Sequence, residues 1–361
     1  MKGLCKYAVG FEGVEIREIP EPIVGIRELK VKVLAAGICN SDVHAIMDER
    51  SVKMPVVLGH EYVGQIVQIG EDVKNFKVGD WVSTLPACYS CGECPMCKKG
   101  MVTLCSQRKS IGSHVDGAMT NYVNVPAKYS FKLPQTIKTL KDRLDYALAE
   151  PLACMVHGVY EMVEVNPDDV VVISGPGIMG LMAVQLFKAR GARVILSGLP
   201  VDSKKLELAL ELGAEAIVTN SEDLKREVYT RNPLGADITC DTAGVVQSLE
   251  SCMSIIRPQG THLQIGLFGG KVNFRLDSLF DREVCYVPSN SSTVTSWEIT
   301  MNLLDQKKVT VKPFISMLCP LAKWHDALDA VLKKQVFKAL LIPDNNFDGE
   351  TLLRNEAIHC L

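Results

Sequence analysis

The stretch VVVISGPGIMGLMAVQLFKARGARVIL, residues 170–196, decides the fold of a large part of this chain. A run of β-branched residues leads into glycines spaced as GxGxxG, and a helical pattern and a second apolar run follow. Glycines at this spacing permit a tight turn and a close approach of the backbone to a pyrophosphate at the helix N-terminus. We therefore predict a βαβ unit that binds a nicotinamide dinucleotide through Gly175, Gly177, Ile178, Met179 and Gly180.

The regions on either side of this unit have different patterns. From residue 151 to residue 289, strands such as RVILSG alternate with helical stretches such as KKLELALELG, which predicts a doubly wound parallel sheet of the Rossmann type. Residues 1–150 hold short β-branched runs separated by Gly, Pro, Asp and Asn, which indicates a barrel-like or sandwich-like β-rich domain. Residues from about 290 to 361 are expected to complete that domain. The predicted fold class is therefore α/β, with two domains.

Composition excludes several functional classes. The chain has 361 residues and a net charge of -3, so it offers no electrostatic footprint for a nucleic acid or an anionic membrane. The N-terminus lacks the pattern of a signal peptide, and no apolar run is long enough to span a bilayer. The 13 cysteines are then more readily explained as thiols and metal ligands than as a disulfide framework. We expect a cytoplasmic protein with no nucleic-acid or membrane partner.

The segment CYSCGECPMCKKGMVTLC, residues 88–105, predicts a closed metal site. Cys91, Cys94 and Cys97 follow the spacing Cx2Cx2C and Cys105 comes eight residues later, so four thiolates can surround one Zn²⁺ tetrahedrally. Such a site has no position for a substrate and is structural. Cys88 also stands at Cx2C spacing and is the alternative ligand. A zinc-ribbon module that binds nucleic acid through Lys98 and Lys99 would need a wider basic surface than this chain has.

A second group of residues predicts an open metal site. GICNSDVH and VVLGHEYVG contain Cys39, His60 and Glu61, and LAEPLACMVHG contains Glu150. All four are zinc-ligand types, and three protein ligands with a water or substrate in the fourth position form the catalytic arrangement. Ser41 is close enough in sequence to Cys39 to reach the same substrate oxygen, and His44 is suited to pass a proton outward.

The chain resembles the zinc-dependent medium-chain alcohol dehydrogenases over nearly its whole length, nearest to their polyol and threonine dehydrogenase branch. The segments that carry the resemblance are GHEYVGQIVQIGEDVKNFKVGDWV, DGAMTNYVNVPA and AEPLACMVHG. The resemblance implies a GroES-like catalytic domain and a homodimer or homotetramer. It also implies that Cys39, His60 and Glu61 bind a catalytic zinc, that Glu150 binds this zinc or its water, and that Ser41 and His44 form a proton relay.

The residue at the end of the second strand bears on the coenzyme's 2′-position. An NAD-preferring unit has an Asp or Glu at the end of the second strand, yet Gly198 stands there. A 2′-phosphate would be tolerated, with Ser197 as a donor and Lys204 or Lys205 as counter-charge, so the sequence favours NADP over NAD. Asp202 is the alternative contact to the ribose, in which case NAD would be preferred.

These features predict reversible, zinc-dependent oxidation of a secondary alcohol, in a polyol or a sugar-derived substrate. The alternative within the family is oxidation of an amino alcohol such as L-threonine. Two departures argue against sorbitol itself: Ala45 replaces an aromatic residue that polyol dehydrogenases often carry, and no arginine occurs between Tyr286 and Trp297. Zinc-free quinone or enoyl reduction on the same fold is opposed by the metal ligands.

Overall fold

The chain forms two compact units in the computed structural model, which describes residues 1–87 and 89–343. Of the described residues, the first unit contains Met1–Pro151, Thr293–Asp305 and those from Thr310 onward, and the second contains Leu152–Ser292 and Gln306–Val309. None of the helices in the described residues combines the length and the apolar character that crossing a bilayer requires.

The elements of the first 156 residues are mostly strands. In chain order they are β1 (Lys2–Lys6), β2 (Val14–Glu18), β3 (Glu28–Gly37), α1 (Asn40–Ile46), β4 (Val56–Val57), β5 (Glu61–Ile69), β6 (Trp81–Thr84), α2 (Pro95–Lys98), β7 (Tyr122–Pro126), β8 (Ser130–Lys132), α3 (Leu140–Leu144) and α4 (Ala149–Val156). Short 3-10 turns lie at Phe11–Gly13, Val102–Leu104, Ala127–Tyr129 and Asp145–Leu148.

Strands and helices alternate in the next part of the chain. The elements are a π-helical turn (His157–Met162), β9 (Val170–Ser174), α5 (Ile178–Ala189), β10 (Arg193–Ser197), α6 (Ser203–Glu211), β11 (Ala216–Val218), α7 (Ser221–Arg231), β12 (Ala236–Asp241), α8 (Val246–Ile255), β13 (Ile256–Gln264), α9 (Asp277–Phe280) and β14 (Cys285–Pro288), with a 3-10 turn at Pro200–Asp202. The chain ends its described part with α10 (Val294–Asp305), β15 (Ile315–Pro320), α11 (Trp324–Leu332) and β16 (Lys338–Ile342), and with 3-10 turns at Lys312–Phe314 and Leu321–Lys323.

The first unit is built on a largely antiparallel sheet. Its strand order is β15-β16-β3-β5-β6-β8, with β7 also paired to β3, and a smaller sheet has the order β2-β1-β4. β3 and β5 are the central pair, and the buried side of β3 includes Leu29, Val31 and Val33, which are fully buried. Because β16 pairs with the end of β3, a strand from far along the sequence reaches the point where β3 and β5 meet.

The second unit is a parallel sheet with the order β11-β10-β9-β12-β13-β14. Val170, Val171 and Val172 of β9 are all buried, as expected of a central strand covered by helices on both faces. This order puts β9 next to β12, which is the point where the winding of the sheet reverses and where open α/β sheets bind their ligands. The predicted α/β class, with a Rossmann-type sheet and a separate β-rich domain, is confirmed.

Candidate active site and metal centres

Three potential metal ligands meet where β3 and β5 are paired. Cys39 is the N-cap of α1, just after β3, and His60 and Glu61 stand at the start of β5. The antiparallel register sets Gly37 opposite Glu61, so both segments reach the same point. One ligand atom each from Cys39, His60 and Glu61 lies within 4.8 Å of the other two. A thiolate, an imidazole and a carboxylate so placed leave one tetrahedral position open.

The ring of His60 is oriented by Asp42, a residue that the sequence analysis missed. Oδ1 of Asp42 lies 3.4 Å from Nδ1 of His60, and the carboxylate also accepts hydrogen bonds from the N–H groups of Cys39 (3.0 Å) and Gly59 (3.3 Å). Burial would raise the pKa of Asp42, but His60 and these donors lower it. Burial likewise opposes a charge on His60, yet Asp42 and Cys39 hold its pKa well above the ordinary value. A carboxylate on Nδ1 leaves Nε2 to face a metal.

A buried lysine stands behind Glu61. Nζ of Lys338 donates a hydrogen bond to Oε1 of Glu61 at 2.8 Å and to the carbonyl oxygen of Ile38 at 3.2 Å. Oε2 of Glu61 lies 2.6 Å from the same ammonium but receives no directed hydrogen bond, so its lone pairs are available to a cation. Burial would lower the pKa of Lys338, but the charges of Glu61, Cys39 and Glu150 raise it.

Gly37 makes the room for this ion pair. A Cβ atom at position 37 would lie 2.5 Å from Oε2 of Glu61 and 3.4 Å from Cδ of Lys338. Any other residue at the end of β3 would therefore displace the carboxylate. A glycine is required at position 37 because the side chains of Glu61 and Lys338 lie so close to it. The sequence alone did not single out this position.

The remaining predicted site residues of the first unit are placed as follows. Ser41 Oγ lies 3.3 Å from Nε2 of His60, whereas Nδ1 of the half-exposed His44 pairs with Oε2 of Glu49 at 2.5 Å. Glu150 is buried in the first turn of α4 and its charge acts on Lys338, but it does not belong to the compact set formed by Cys39, His60 and Glu61.

Four cysteines form the second cluster. One sulfur from each of Cys91, Cys94, Cys97 and Cys105 lies within 4.8 Å of the others. Cys94 caps the short helix α2, and its sulfur accepts a hydrogen bond from the N–H of Cys97 at 3.4 Å. The alternative ligand Cys88 lies outside the described residues.

The thiols of this cluster have different pKa values. The N–H groups of Glu93 and Cys94 lower the pKa of Cys91 to about 6, whereas burial raises the pKa of Cys97 to about 11. The sulfurs of Cys91 and Cys97 are 3.8 Å apart, so two thiolates there repel each other unless a positive charge lies between them. Zn²⁺ supplies that charge, and four sulfurs within 4.8 Å of one another fit its tetrahedral shell as thiolates.

The glycine loop after β9 has the geometry of a dinucleotide cradle. Gly175 adopts a φ of +107°, and a Cβ at Gly180 would lie 1.9 Å from the carbonyl oxygen of Gly175. Nothing lies within 4 Å of a Cβ at Gly177, the N-cap of α5, so the space above the helix start is open. Ile178 and Met179 form the first turn, whose free N–H groups can receive a pyrophosphate.

Comparison with known proteins identifies the family. Residues 25–135 match the alcohol dehydrogenase GroES-like domain, and residues 179–306 match the zinc-binding dehydrogenase family. The chain is 36% identical to D-arabitol-phosphate dehydrogenase of Enterococcus avium, over 94% of this chain and 97% of that protein. It belongs to the zinc-binding alcohol dehydrogenases.

Two further comparisons extend this family assignment. Sorbitol dehydrogenase of Halalkalibacterium halodurans is 35% identical, over 95% of this chain and 99% of the relative. A zinc-binding dehydrogenase of Sinorhizobium meliloti, solved with NADP, superposes with a TM-score of 0.85 at 31% identity, over 95% and 99% of the two chains. The predictions of zinc-dependent alcohol oxidoreduction, of catalytic and structural zinc and of a nicotinamide coenzyme are thereby confirmed.

In this dehydrogenase the end of β10 bears no carboxylate. Ser197 is its last residue, and a Cβ at Gly198 would lie 2.8 Å from Cγ of Pro176. Asp202 accepts a hydrogen bond from Lys205 at 3.3 Å and another from the N–H of Leu199 at 3.4 Å. The charge of Lys205 is thus already paired, and Lys204 is exposed.

Proposed function

We propose that the protein oxidises a secondary hydroxyl of a polyol or sugar-derived alcohol, reversibly, with a nicotinamide dinucleotide as hydride acceptor. The observation that carries this proposal is the set formed by Cys39, His60 and Glu61, in which the carboxylate of Glu61 has an oxygen that receives no directed hydrogen bond. Two relatives that match almost end to end act on D-arabitol phosphate and on sorbitol by name, which supports a polyhydroxylated substrate.

The side chains of the first unit would bind the zinc ion and transfer the proton of the alcohol. When bound, the zinc ion polarises the alcohol and lowers the pKa of its hydroxyl. Cys39, His60 and Glu61 would hold it, with Glu150 binding the ion or its water. Ser41, whose hydroxyl lies 3.3 Å from the His60 ring, would take the alcohol proton. His44 is half exposed and paired with Glu49, so it would pass that proton to solvent.

The substrate assignment is tested by measuring kcat/KM for sugar alcohols of four to six carbons, their phosphate esters, ethanol, benzyl alcohol and L-threonine. We expect a polyol or its phosphate to exceed ethanol by at least about tenfold, because a second hydroxyl adds contacts in a polar site. Fastest turnover of a simple primary alcohol would contradict the polyol assignment. Efficient oxidation of L-threonine alone would move the protein to the threonine branch.

For the coenzyme we propose NADP rather than NAD. Gly198 leaves the end of β10 without the acid that binds a ribose diol, and Ser197 and the exposed Lys204 are the candidate contacts to a 2′-phosphate, since Lys205 is paired with Asp202. The relative from Sinorhizobium meliloti was solved with NADP, which supports the same preference.

The matched pair Gly198→Asp and Gly198→Ala tests this preference. Both variants bring a Cβ against Pro176, so both carry the same crowding, but only the aspartate repels a 2′-phosphate. We expect the ratio of kcat/KM for NADP over NAD to fall in the aspartate variant relative to the alanine variant. Wild-type protein that uses NAD far better than NADP would refute the preference and would leave Asp202 as the ribose contact.

We further propose a cytoplasmic homodimer or homotetramer. The edge strand β14 is largely exposed, and Leu267, Leu276 and Phe280 of the same unit expose 90%, 71% and 81% of their surface, which supports an interface there. Phe280→Glu is expected to shift sedimentation toward the monomer, whereas Leu234→Glu, at a comparably exposed leucine elsewhere in that unit, is not. A wild-type protein that sediments as a monomer would contradict the proposal. Cys39, Cys91, Cys94, Cys97 and Cys105 are not joined in disulfides, which suits a reducing compartment.

A further inference from the structure

A buried polar network lies at the carboxyl ends of β12 and β13 and is not used by the chemistry above. Its centre is Asp241, the last residue of β12, which is fully buried. Oδ1 accepts hydrogen bonds from the N–H groups of Ala243 (2.8 Å) and Gly244 (3.1 Å) and from the hydroxyl of Ser248 (2.7 Å). Oδ2 accepts one from Nε2 of Gln264 at 2.9 Å. All four of these donors are neutral groups.

The donor and acceptor roles of the side chains are fixed along this network. The amide of Gln264 donates its two N–H hydrogens to Asp241 and to the carbonyl oxygen of Gly266 (2.8 Å), so its Oε1 can only accept hydrogen bonds. That oxygen lies 3.0 Å from Nε2 of His262 and 3.2 Å from the hydroxyl of Tyr286. Burial lowers the pKa of His262, which keeps the ring neutral, with Nε2 as donor and Nδ1 as acceptor from a threonine hydroxyl.

Both turns that follow these strands depend on Asp241. Its carboxylate fixes the backbone at 243 and 244, and its carbonyl oxygen accepts hydrogen bonds from the N–H groups of Ile265 and Gly266, each at 2.9 Å. The neighbouring Thr242 donates its hydroxyl hydrogen to carbonyl oxygens at the start of the glycine loop, 3.0 Å from that of Gly175. The network therefore connects the second half of the sheet to the loop that receives the pyrophosphate.

We propose that Asp241 is a positioning residue for the nicotinamide half of the coenzyme. In a doubly wound sheet the dinucleotide lies across the carboxyl ends of the strands, with its pyrophosphate on the loop after β9. Its nicotinamide half then lies over the strands of the second half of the sheet, where Asp241 holds the backbone at 243 and 244 through its carboxylate and at 265 and 266 through its carbonyl oxygen. The proposal rests on the coenzyme assignment and adds to it the residue that shapes this part of the site.

The matched variants Asp241→Asn and Asp237→Asn test it. Asp237 is on the same strand at the amino end, where it pairs with Arg257 at 2.7 Å and accepts the N–H of Val170 at 2.9 Å. Both carboxylate oxygens of Asp241 accept hydrogen bonds, so in either orientation the NH₂ group of an asparagine would face a donor and at least one hydrogen bond would be lost. We expect Asp241→Asn to raise the Kd of NADPH by about tenfold, the size of one buried hydrogen bond. The Kd of the 2′-phosphate ester of ADP-ribose, which lacks the nicotinamide, is expected to stay nearly unchanged.

Coenzyme fluorescence and calorimetry measure these affinities, and zinc content serves as a check on folding. Asp237→Asn is expected to lower the melting temperature but to leave the Kd of each ligand close to its wild-type value. Equal weakening of both ligands by Asp241→Asn, or no weakening of either, would overturn the proposal. If Asp241→Asn does not fold, Gln264→Met breaks the same network at its next member and must show the same split. Failure of wild-type protein to bind NADPH or NADH would instead refute the coenzyme assignment.

Discussion

The two metal clusters of this chain are built in different ways. The four cysteines lie between residues 91 and 105, and their short turns and the helix α2 bring the sulfurs together locally. The cluster of Cys39, His60 and Glu61 is assembled by the pairing of β3 with β5, and its supporting lysine, Lys338, is 277 residues from Glu61. A site made by one segment can be recognised from spacing, whereas a site made by a sheet can be recognised only in part.

The two ways of building a cluster also correspond to two roles, one structural and one catalytic. A local cluster with four sulfurs closes a tetrahedral shell and stabilises the segment that holds it. The sheet-built cluster has three ligands, and its geometry is maintained by residues behind them, namely Asp42, Gly37 and Lys338. Variants of the two clusters should therefore fail in different ways.

The largest effect on turnover is expected from Cys39→Ser. The open set loses its thiolate, so the metal that polarises the alcohol is lost, and kcat/KM should fall by about a thousandfold or more. The protein should remain folded, bind coenzyme and contain about one zinc fewer, as measured by metal analysis. Cys319→Ser is the control, since Cys319 is a buried cysteine of the same unit outside both ligand sets. Activity that survives in Cys39→Ser would remove this residue from the site.

The opposite pattern is expected from Cys94→Ser. Loss of a structural ligand removes folding free energy, and we expect the melting temperature to drop by about 10 °C or more. The protein that remains folded should keep much of its turnover per catalytic zinc. Calorimetry and metal analysis check this prediction. Complete inactivation with an unchanged melting temperature and zinc content would show that the two clusters do not differ as argued.

How much of each region the sequence predicts follows from the same distinction. The Cx2Cx2C spacing and the GxGxxG loop after a β-branched run are local patterns, and they suffice for the cysteine cluster and the dinucleotide fold. Asp42 left a weak local signal, since an acid three residues after a ligand can cap the helix that begins there.

Gly37 and Lys338 left no signal at all. A glycine at a strand end and a lysine at the start of a C-terminal strand look ordinary until β16 pairs with β3 and places both against Glu61. The contact of His44 with Glu49 was likewise not visible in the sequence. Side chains that act from behind a ligand depend on sheet register, which a single sequence does not specify.

Lys338→Met tests whether the buried ion pair between Lys338 and Glu61 helps to maintain the sheet-built site. Removing one member of a buried ion pair leaves the other charge uncompensated, at a cost of about 3–5 kcal/mol. Zinc supplies a replacement cation to the same carboxylate, so the loss should be large in chelator-treated protein and mostly recovered in zinc-loaded protein. Denaturant unfolding with and without chelator measures both.

Lys338→Arg keeps the charge and is the matched variant, expected to lose less in the chelated state. If Lys338→Met loses equal stability with and without zinc, the lysine acts only in packing, and its ion pair with Glu61 has no bearing on the metal.

The smallest of these effects is expected from Asp42→Asn. Oδ1 of Asp42 fixes the Nδ1–H tautomer of His60, and the two carboxylate oxygens also accept the N–H groups of Cys39 and Gly59. An asparagine must place its NH₂ group against one of these donors, so either the ring or the start of α1 is displaced. Loss of such a partner to a metal-binding histidine lowers metal affinity by about 10–100-fold.

A competition titration with a zinc chelator measures this loss, and Asp80→Asn is the control. Asp80 is another buried carboxylate of the same unit, paired with Lys132 at 2.9 Å and belonging to neither ligand set. Both variants should unfold more easily than the wild type, because both lose hydrogen bonds to a buried carboxylate. Only Asp42→Asn should release zinc at a lower chelator concentration. Equal zinc affinity in the two variants would mean that the His60 ring is held by β5 alone, and the sheet-built site would then need no support from α1.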